Sequence, residues 1–179
     1  MNDDVQKQTT EGVTFRIPSS SINQLREESK KKQVSLNTLV NQILKDHLDW
    51  HIYAAQARMF SVSKSTFSRL VDNLTEEELS ELAVTIAKKD FVDIGLLLRG
   101  EFTLPSFLNI LENWSRMSSI PYKHEINNDV HNFIIQHEMG MNFSLLNKEL
   151  YRYILEEIFG RKSDFTITDN TVMFRFRED

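Results

Sequence analysis

Two polar side chains near the start of the chain alternate with three apolar ones, and their types suit contact with the edge of a nucleic-acid base. The apolar residues are Val13, Phe15 and Ile17, and Thr14 and Arg16 lie between them. Successive side chains of a strand point to opposite faces, so Thr14 and Arg16 would share the exposed face. Arginine can donate two parallel hydrogen bonds to guanine, and threonine can contact a base edge or a thymine methyl. The pattern predicts a short strand with one buried and one polar face.

A second group of residues that could do chemistry is a set of histidines near glutamates in the last third of the chain. His124, His131 and His137 have Glu125 and Glu138 beside them. One interpretation is a metal or ligand pocket, and the other is a set of ordinary sheet histidines. His131 and His137 would lie roughly 20 Å apart along one strand, too far to share an ion. Only His124 and His131 can approach closely, across a hairpin, and no metal site is predicted.

Two helical patterns follow the predicted strand. Pro18 ends the strand, and the serines at 19 to 21 are candidate N-caps of the first helix, with Ser21 and Gln24 fitting a capping box. Ser35 is the predicted cap of the second helix, whose apolar residues recur at helical spacing. Those residues are Leu36, Leu39, Val40, Ile43, Leu44 and Leu48.

This segment is too small to form a core alone. About 40 residues bury little apolar area, and a lone strand needs a partner. A second copy of the same strand is the simplest partner, which predicts an obligate homodimer. The resulting two-stranded antiparallel ribbon would fit the major groove of DNA and present Thr14 and Arg16 from both copies.

The order strand, helix, turn, helix over roughly residues 12 to 50 resembles the ribbon–helix–helix family of DNA-binding proteins, the Arc, MetJ and CopG type. The resemblance implies that three outward strand residues contact bases, and these map onto Gly12, Thr14 and Arg16. It also implies that the start of the second helix holds a DNA phosphate. The residues expected at that phosphate are Ser35, Leu36, Asn37 and Lys32.

Two positions depart from the family pattern. Gly12 has no side chain, so base readout is expected to depend on Thr14 and Arg16. Gln33 stands in the turn between the helices, where the family commonly has a glycine, and glutamine is less comfortable than glycine at a positive φ.

Charge is distributed unevenly along the chain. Residues 13 to 45 contain six basic and two acidic residues, which gives +4, whereas residues 51 to 179 contain 14 basic and 19 acidic residues, which gives −5. A basic end on an acidic body suits a DNA contact confined to that end. The simpler interpretation of Lys30, Lys31 and Lys32 is a solvated helix end, where cations favour the helix dipole.

The remainder of the chain predicts an α+β body. Helical spacing recurs through the middle, with a capping box at Thr75–Glu78 and a stop at Gly100. Two hairpins flanking one helix follow, and the order β-β-α-β-β predicts a four-stranded antiparallel sheet with a helix on one face. The predicted strands are 122–126, 130–137, 165–168 and 171–176, and the helix between the hairpins ends before Gly160.

The predicted domains are a disordered arm at 1–11, a ribbon–helix–helix domain at 12–58 that binds DNA and dimerises, and a regulatory or oligomerisation domain at 59–179. The chain has no cysteine, which excludes disulfides and zinc–thiolate sites. No apolar run approaches the roughly 20 residues of a membrane span, and the polar start is not a signal peptide. These features predict a cytoplasmic protein.

The favoured prediction is a homodimeric, sequence-specific transcriptional regulator that binds double-stranded DNA, has no cofactor and is not an enzyme. Whether dimers pair into tetramers on DNA, and which effector the C-terminal domain senses, are left open. One alternative is an antitoxin-like protein whose C-terminal domain grips another protein. The other is a C-terminal enzyme in which the ribbon only clasps the dimer, although no nucleophile or metal motif is present.

Overall fold

The structure, a computed structural model, describes residues 10–178. Its chain divides into two compact units, Met1–Lys45 and Asp46–Asp179. The boundary between the two units falls after Lys45, within a long helical run, whereas the sequence predicted a domain boundary after residue 58. Most of the arm predicted at residues 1–11 lies outside the described residues.

The N-terminal unit contains two helices, α1 (Ser19–Lys31) and α2 (Leu36–Asp46). Residues 10–18 form neither helix nor strand in the single chain. The strand predicted at 13–17 was expected to pair with a second copy, and strand hydrogen bonds require such a partner. The ribbon therefore stays a prediction.

The two helices begin differently. The α1 helix begins at Ser19 without a side-chain cap, and the Pro18 carbonyl accepts a hydrogen bond from the Ile22 N–H at 3.1 Å. The predicted serine caps, including the box at Ser21, are wrong because the serines already lie in the first helical turn. The Ser35 cap of α2 is confirmed, since the Thr38 N–H donates to its Oγ at 3.0 Å.

Three helices end in the same left-handed turn without a glycine. After α1, the Val34 N–H donates to the Ser29 carbonyl at 3.0 Å, and Gln33 has φ 55°. This is a Schellman turn, in which glycine usually takes the left-handed position. The positive φ expected at Gln33 is confirmed. The helices α3 (Ile52–Gln56) and α7 (Leu104–Met117) end in the same way at Arg58 (φ 54°) and Ser119 (φ 52°).

Replacing Gln33 with glycine is expected to raise the free energy of unfolding of the N-terminal unit by about 0.5–1 kcal/mol. Relief of the left-handed strain exceeds the entropy that glycine adds to the unfolded chain. Urea denaturation followed by circular dichroism measures the change. The neighbouring Lys32 has φ −81°, so Lys32→Gly is the matched control and should destabilise the helix end. Equal losses from both variants would contradict the argument.

Two helix boundaries of the C-terminal unit are found as predicted: the Thr75–Glu78 capping box is formed, and Gly100 has φ 74° at the end of its helix. In addition, Ser63 Oγ accepts from the Thr66 N–H at 3.2 Å and caps the helix that follows it. Besides α3 and α7, the unit has α4 (Lys64–Val71), α5 (Glu76–Thr85), α6 (Val92–Arg99) and α8 (Met141–Tyr153). Wider π-helical segments follow α2, α5 and α8 directly, at His47–His51, Ile86–Phe91 and Ile154–Ile158.

Length and apolarity do not let any single helix of residues 10–178 cross a bilayer. The helical runs Glu76–Arg99 and Leu104–Met117 reach that length and apolarity only when they are counted together, and a bend of 93° separates them.

The predicted α+β class and the antiparallel sheet are confirmed. Strands β1 (Tyr122–Asn127), β2 (Val130–Gln136), β3 (Ser163–Thr168) and β4 (Thr171–Arg177) pair antiparallel in the order β1-β2-β4-β3. The first hairpin turns at Asn128 and Asp129, whose φ values of 48° and 63° are those of the turn that matches strand twist.

One row of aromatic rings crosses all four strands on the buried face of the sheet. His124, Phe133, Phe174 and Phe165 are register partners on β1, β2, β4 and β3. Their successive ring centroids lie 3.9, 5.1 and 5.3 Å apart. Such cross-strand pairs stabilise a sheet and fix its register. The α8 helix covers this face, and Tyr151 packs on Phe174 with centroids 5.5 Å apart.

Candidate functional site

The residues predicted to contact bases are exposed in the segment that precedes α1. Gly12, Thr14 and Arg16 all lie at the surface. The apolar side chains that alternate with them are also exposed. Val13 is 66% exposed, Phe15 63% and Ile17 42%. A single copy therefore leaves the whole predicted buried face of the strand in water, which is unfavourable for side chains of this size.

The residues predicted to contact a phosphate lie in the turn before α2, at Lys32 and Ser35, and at the start of α2, at Leu36 and Asn37. Ser35 Oγ accepts from the Thr38 N–H, so the cap satisfies the third residue of the helix. Within residues 10–178 the N–H groups of Leu36 and Asn37 donate to no acceptor. Unpaired first-turn N–H groups carry the positive end of the helix dipole and can bind an anion.

Lys32, the remaining residue predicted at the phosphate, forms an ion pair in the structure. Its Nζ lies 2.7 Å from Glu28 Oε1, one helical turn earlier, and both side chains are about half exposed. An exposed pair of this kind contributes little to stability, roughly 0–1 kcal/mol. Lys32 can therefore exchange this partner for a phosphate at small cost.

The close pair predicted for His124 and His131 is confirmed, and it belongs to a longer chain of hydrogen bonds. His124 Nε2 lies 2.9 Å from His131 Nδ1. On one side, His124 Nδ1 lies 2.6 Å from Glu112 Oε1 of α7, and on the other, His131 Nε2 lies 3.3 Å from Glu178 Oε2. The chain thus joins α7, the first hairpin and the residue after β4.

The hydrogen bonds and the burial of this cluster limit what it can do. Each of its three contacts needs one hydrogen on a ring nitrogen, so all three form when the two rings together carry three hydrogens and one positive charge. His131 is only 3% exposed. Because a substrate cannot reach that ring, the arrangement fits a polar link between elements better than a catalytic centre.

His137 lies apart from the other two histidines and is fully buried. The Met139 N–H donates to its Nδ1 at 3.0 Å, so Nε2 carries the hydrogen and donates to Ser144 Oγ at 2.7 Å. Ser144 in turn donates to the Thr168 carbonyl at 2.6 Å. Burial, together with the Lys64 charge, lowers the pKa of His137 to about 4. His137 is therefore a neutral structural link between the two hairpins and α8.

Sequence reasoning missed the two glutamates of the histidine chain. Glu112 lies on a helix and Glu178 follows the last strand, so no spacing relates them to His124 or His131.

In the part of the chain that the structure describes, no group of three or more histidine, aspartate or glutamate side chains could hold a metal ion. No known family model matches the chain, and no curated protein sequence is significantly similar to it.

Proposed function

We propose that the protein is a homodimeric, sequence-specific DNA-binding transcriptional regulator that reads the major groove with a two-stranded ribbon. The observation that carries the proposal is the exposure of Val13, Phe15 and Ile17 in alternation with Thr14 and Arg16. Pairing the segment with a second copy would cover the apolar face and satisfy its backbone hydrogen-bonding groups. It would also turn four polar side chains outward, two from each copy.

Burial within the N-terminal unit supports the need for a partner. Of residues 10–45, only Ser29 and Leu39 are buried. The α2 helix leaves Ile43 44% exposed and Leu44 45% exposed, in addition to the three apolar residues before α1. A unit with so little interior is marginal alone, and a second copy is the simplest source of the missing core.

Charge and helix geometry support DNA as the ligand. The N-terminal unit carries the basic part of an acidic chain. The first-turn N–H groups of Leu36 and Asn37, which have no acceptor within residues 10–178, offer a phosphate site. Phosphate contacts of this kind position a protein on the duplex, while side chains in the groove select the sequence. Arg16 is the proposed donor to a guanine edge, and Thr14 contacts an adjacent base or thymine methyl.

The C-terminal unit supports a regulatory role better than an antitoxin-like one. It has its own core in which Phe107, Phe133, Tyr151 and Ile154 are almost completely buried. A segment that folds only on its target would lack such a core. We therefore assign the DNA contact to the N-terminal unit and regulation to the C-terminal unit.

Selection of bound sequences from random duplex DNA by the full-length chain tests the proposal. Enrichment of an inverted repeat is expected, because a two-fold symmetric dimer reads two related half-sites. Failure to enrich any sequence at low salt would refute the proposal.

Replacing Arg16 with alanine is expected to cost about 1–3 kcal/mol of specific binding while leaving weak non-specific binding largely intact. Gel-shift titrations against the selected sequence and against random DNA measure both. Arg161→Ala, which makes the same charge change in the C-terminal unit, is the matched control and should leave binding to both DNAs unchanged. Unaltered discrimination in the Arg16 variant would contradict the assigned role.

A further inference from the structure

A cavity of about 980 Å³ lies within the C-terminal unit. Its walls come from the π-helical segment after α2, from α3 and the connection to α4, and from α7 and α8. This volume is at the upper end of the range that small-molecule sites occupy in proteins, roughly 300–1,000 Å³.

Most of the cavity wall is apolar or aromatic. Trp50 and Trp114, the two tryptophans of the chain, both line it, together with Phe67, Phe143 and Leu150. A wall of this kind favours the apolar body of a ligand, because binding removes apolar surface from water on both sides.

The charged residues of the wall all have the same sign. Arg58 and Lys64 line the cavity with His51, and no aspartate or glutamate does. Among residues 10–178, Lys64 Nζ lies within hydrogen-bond range of the Ser119 carbonyl, at 3.4 Å, and neither cation pairs with a carboxylate. In a chain of net charge −5, a cavity wall with cations and without acids favours an anionic group.

The backbone at Arg58 can accommodate glycine. Arg58 takes the left-handed position of the Schellman turn after α3, with φ 54°, where glycine would be free of strain. Replacing Arg58 with glycine therefore removes a cation from the cavity wall without straining the turn.

We infer that this cavity binds an apolar carboxylate, with Arg58 and Lys64 at the carboxylate and the aromatic wall around the apolar body. The connection between α3 and α4 carries Met59, Phe60 and Val62, whose side chains are 38%, 86% and 46% exposed. These apolar side chains provide further surface for a ligand that enters along the connection. Binding at this site does not require DNA, so it is tested separately from the proposed function.

Dodecanoate, dodecan-1-ol and dodecyltrimethylammonium share one alkyl chain and differ only in the head group, so they isolate the role of charge. Titration of the full-length chain is followed by tryptophan fluorescence, which reports this cavity alone because both tryptophans line it. Isothermal titration calorimetry supplies the stoichiometry. Dodecanoate is expected to bind at one molecule per chain and about tenfold or more tighter than the alcohol, because a charged hydrogen bond is stronger than a neutral one.

Arg58→Gly separates binding from stability. The variant relieves the strained turn, so it should be at least as stable as the natural chain, yet it should bind dodecanoate about tenfold more weakly and dodecan-1-ol equally well. Gln33→Gly makes the same backbone change in a turn outside the cavity and is the matched control, for which dodecanoate affinity stays the same.

Three outcomes would overturn the inference. They are failure of dodecanoate to change the tryptophan fluorescence, equal affinity for dodecanoate and dodecyltrimethylammonium, and an Arg58→Gly variant that binds dodecanoate as tightly as the natural chain does. None of them bears on DNA binding, which the random-sequence selection measures.

Discussion

Replacing Phe15 with serine is expected to raise the dissociation constant of the proposed homodimer at least about 100-fold and to abolish specific DNA binding. The side chain is 63% exposed in one copy and would be covered in the ribbon. Burying a phenylalanine contributes about 1.5–3 kcal/mol, and both copies lose it at once in a homodimer. Sedimentation velocity over a range of protein concentrations measures the dimer, and a gel shift with the selected DNA measures binding.

The matched control is Phe60→Ser, which removes a phenylalanine that is 86% exposed in the C-terminal unit. This variant should dimerise and bind DNA as the natural chain does. If Phe15→Ser also keeps the natural dimer affinity, two copies do not pair through this segment, and the major-groove assignment of Thr14 and Arg16 is lost with it.

Acidification from pH 6.5 to pH 4 is expected to remove about 3 kcal/mol of stability through His137 alone. The unfolded chain binds a proton at this ring near pH 6.5, but the folded chain does so only near pH 4, because the ring is buried and its Nδ1 already accepts the Met139 N–H. The stabilisation is therefore complete above the unfolded pKa and decreases as the pH falls towards the folded one.

Urea unfolding of the full-length chain at pH 7, 5.5 and 4.5 measures this loss. The neutral variant His137→Gln should lose less stability between pH 7 and pH 4.5 than the natural chain does. His47→Gln, at an exposed histidine, is the control and should follow the natural chain. If the free energy of unfolding depends on pH in the same way in the natural chain and in His137→Gln, the folded chain does not suppress protonation of this ring.

Local signals in the sequence predicted much of the C-terminal unit. The Thr75–Glu78 box and the Gly100 stop each depend on neighbouring residues, and each is found where its pattern predicted it. Strand alternation likewise predicted both hairpins and therefore the antiparallel sheet.

Features that depend on packing were not predictable in this way. The α1 helix starts before Ser21 because the Pro18 carbonyl already accepts its first helical hydrogen bond. Three consecutive serines do not indicate in the sequence which of them, if any, caps the helix. The π-helical segments have no composition that separates them from α-helix. His131 contacts Glu178, and Arg58 lines the cavity beside residues of α7 and α8. These residues are distant in the sequence and come close only in the folded chain.

The strand order also bears on how copies of this protein can meet. Among the residues that the structure describes, the sheet ends at β1 and β3, whose outer edges pair with no further strand. Both edge strands are six residues long and carry exposed charge. Lys123 lies beside Glu125 on β1, and Asp164 of β3 pairs with Arg175 of the neighbouring β4. Short, charged edges discourage the addition of another strand. Sheet extension between C-terminal units is therefore disfavoured, so it would not compete with the proposed pairing of two copies through the apolar segment ahead of α1.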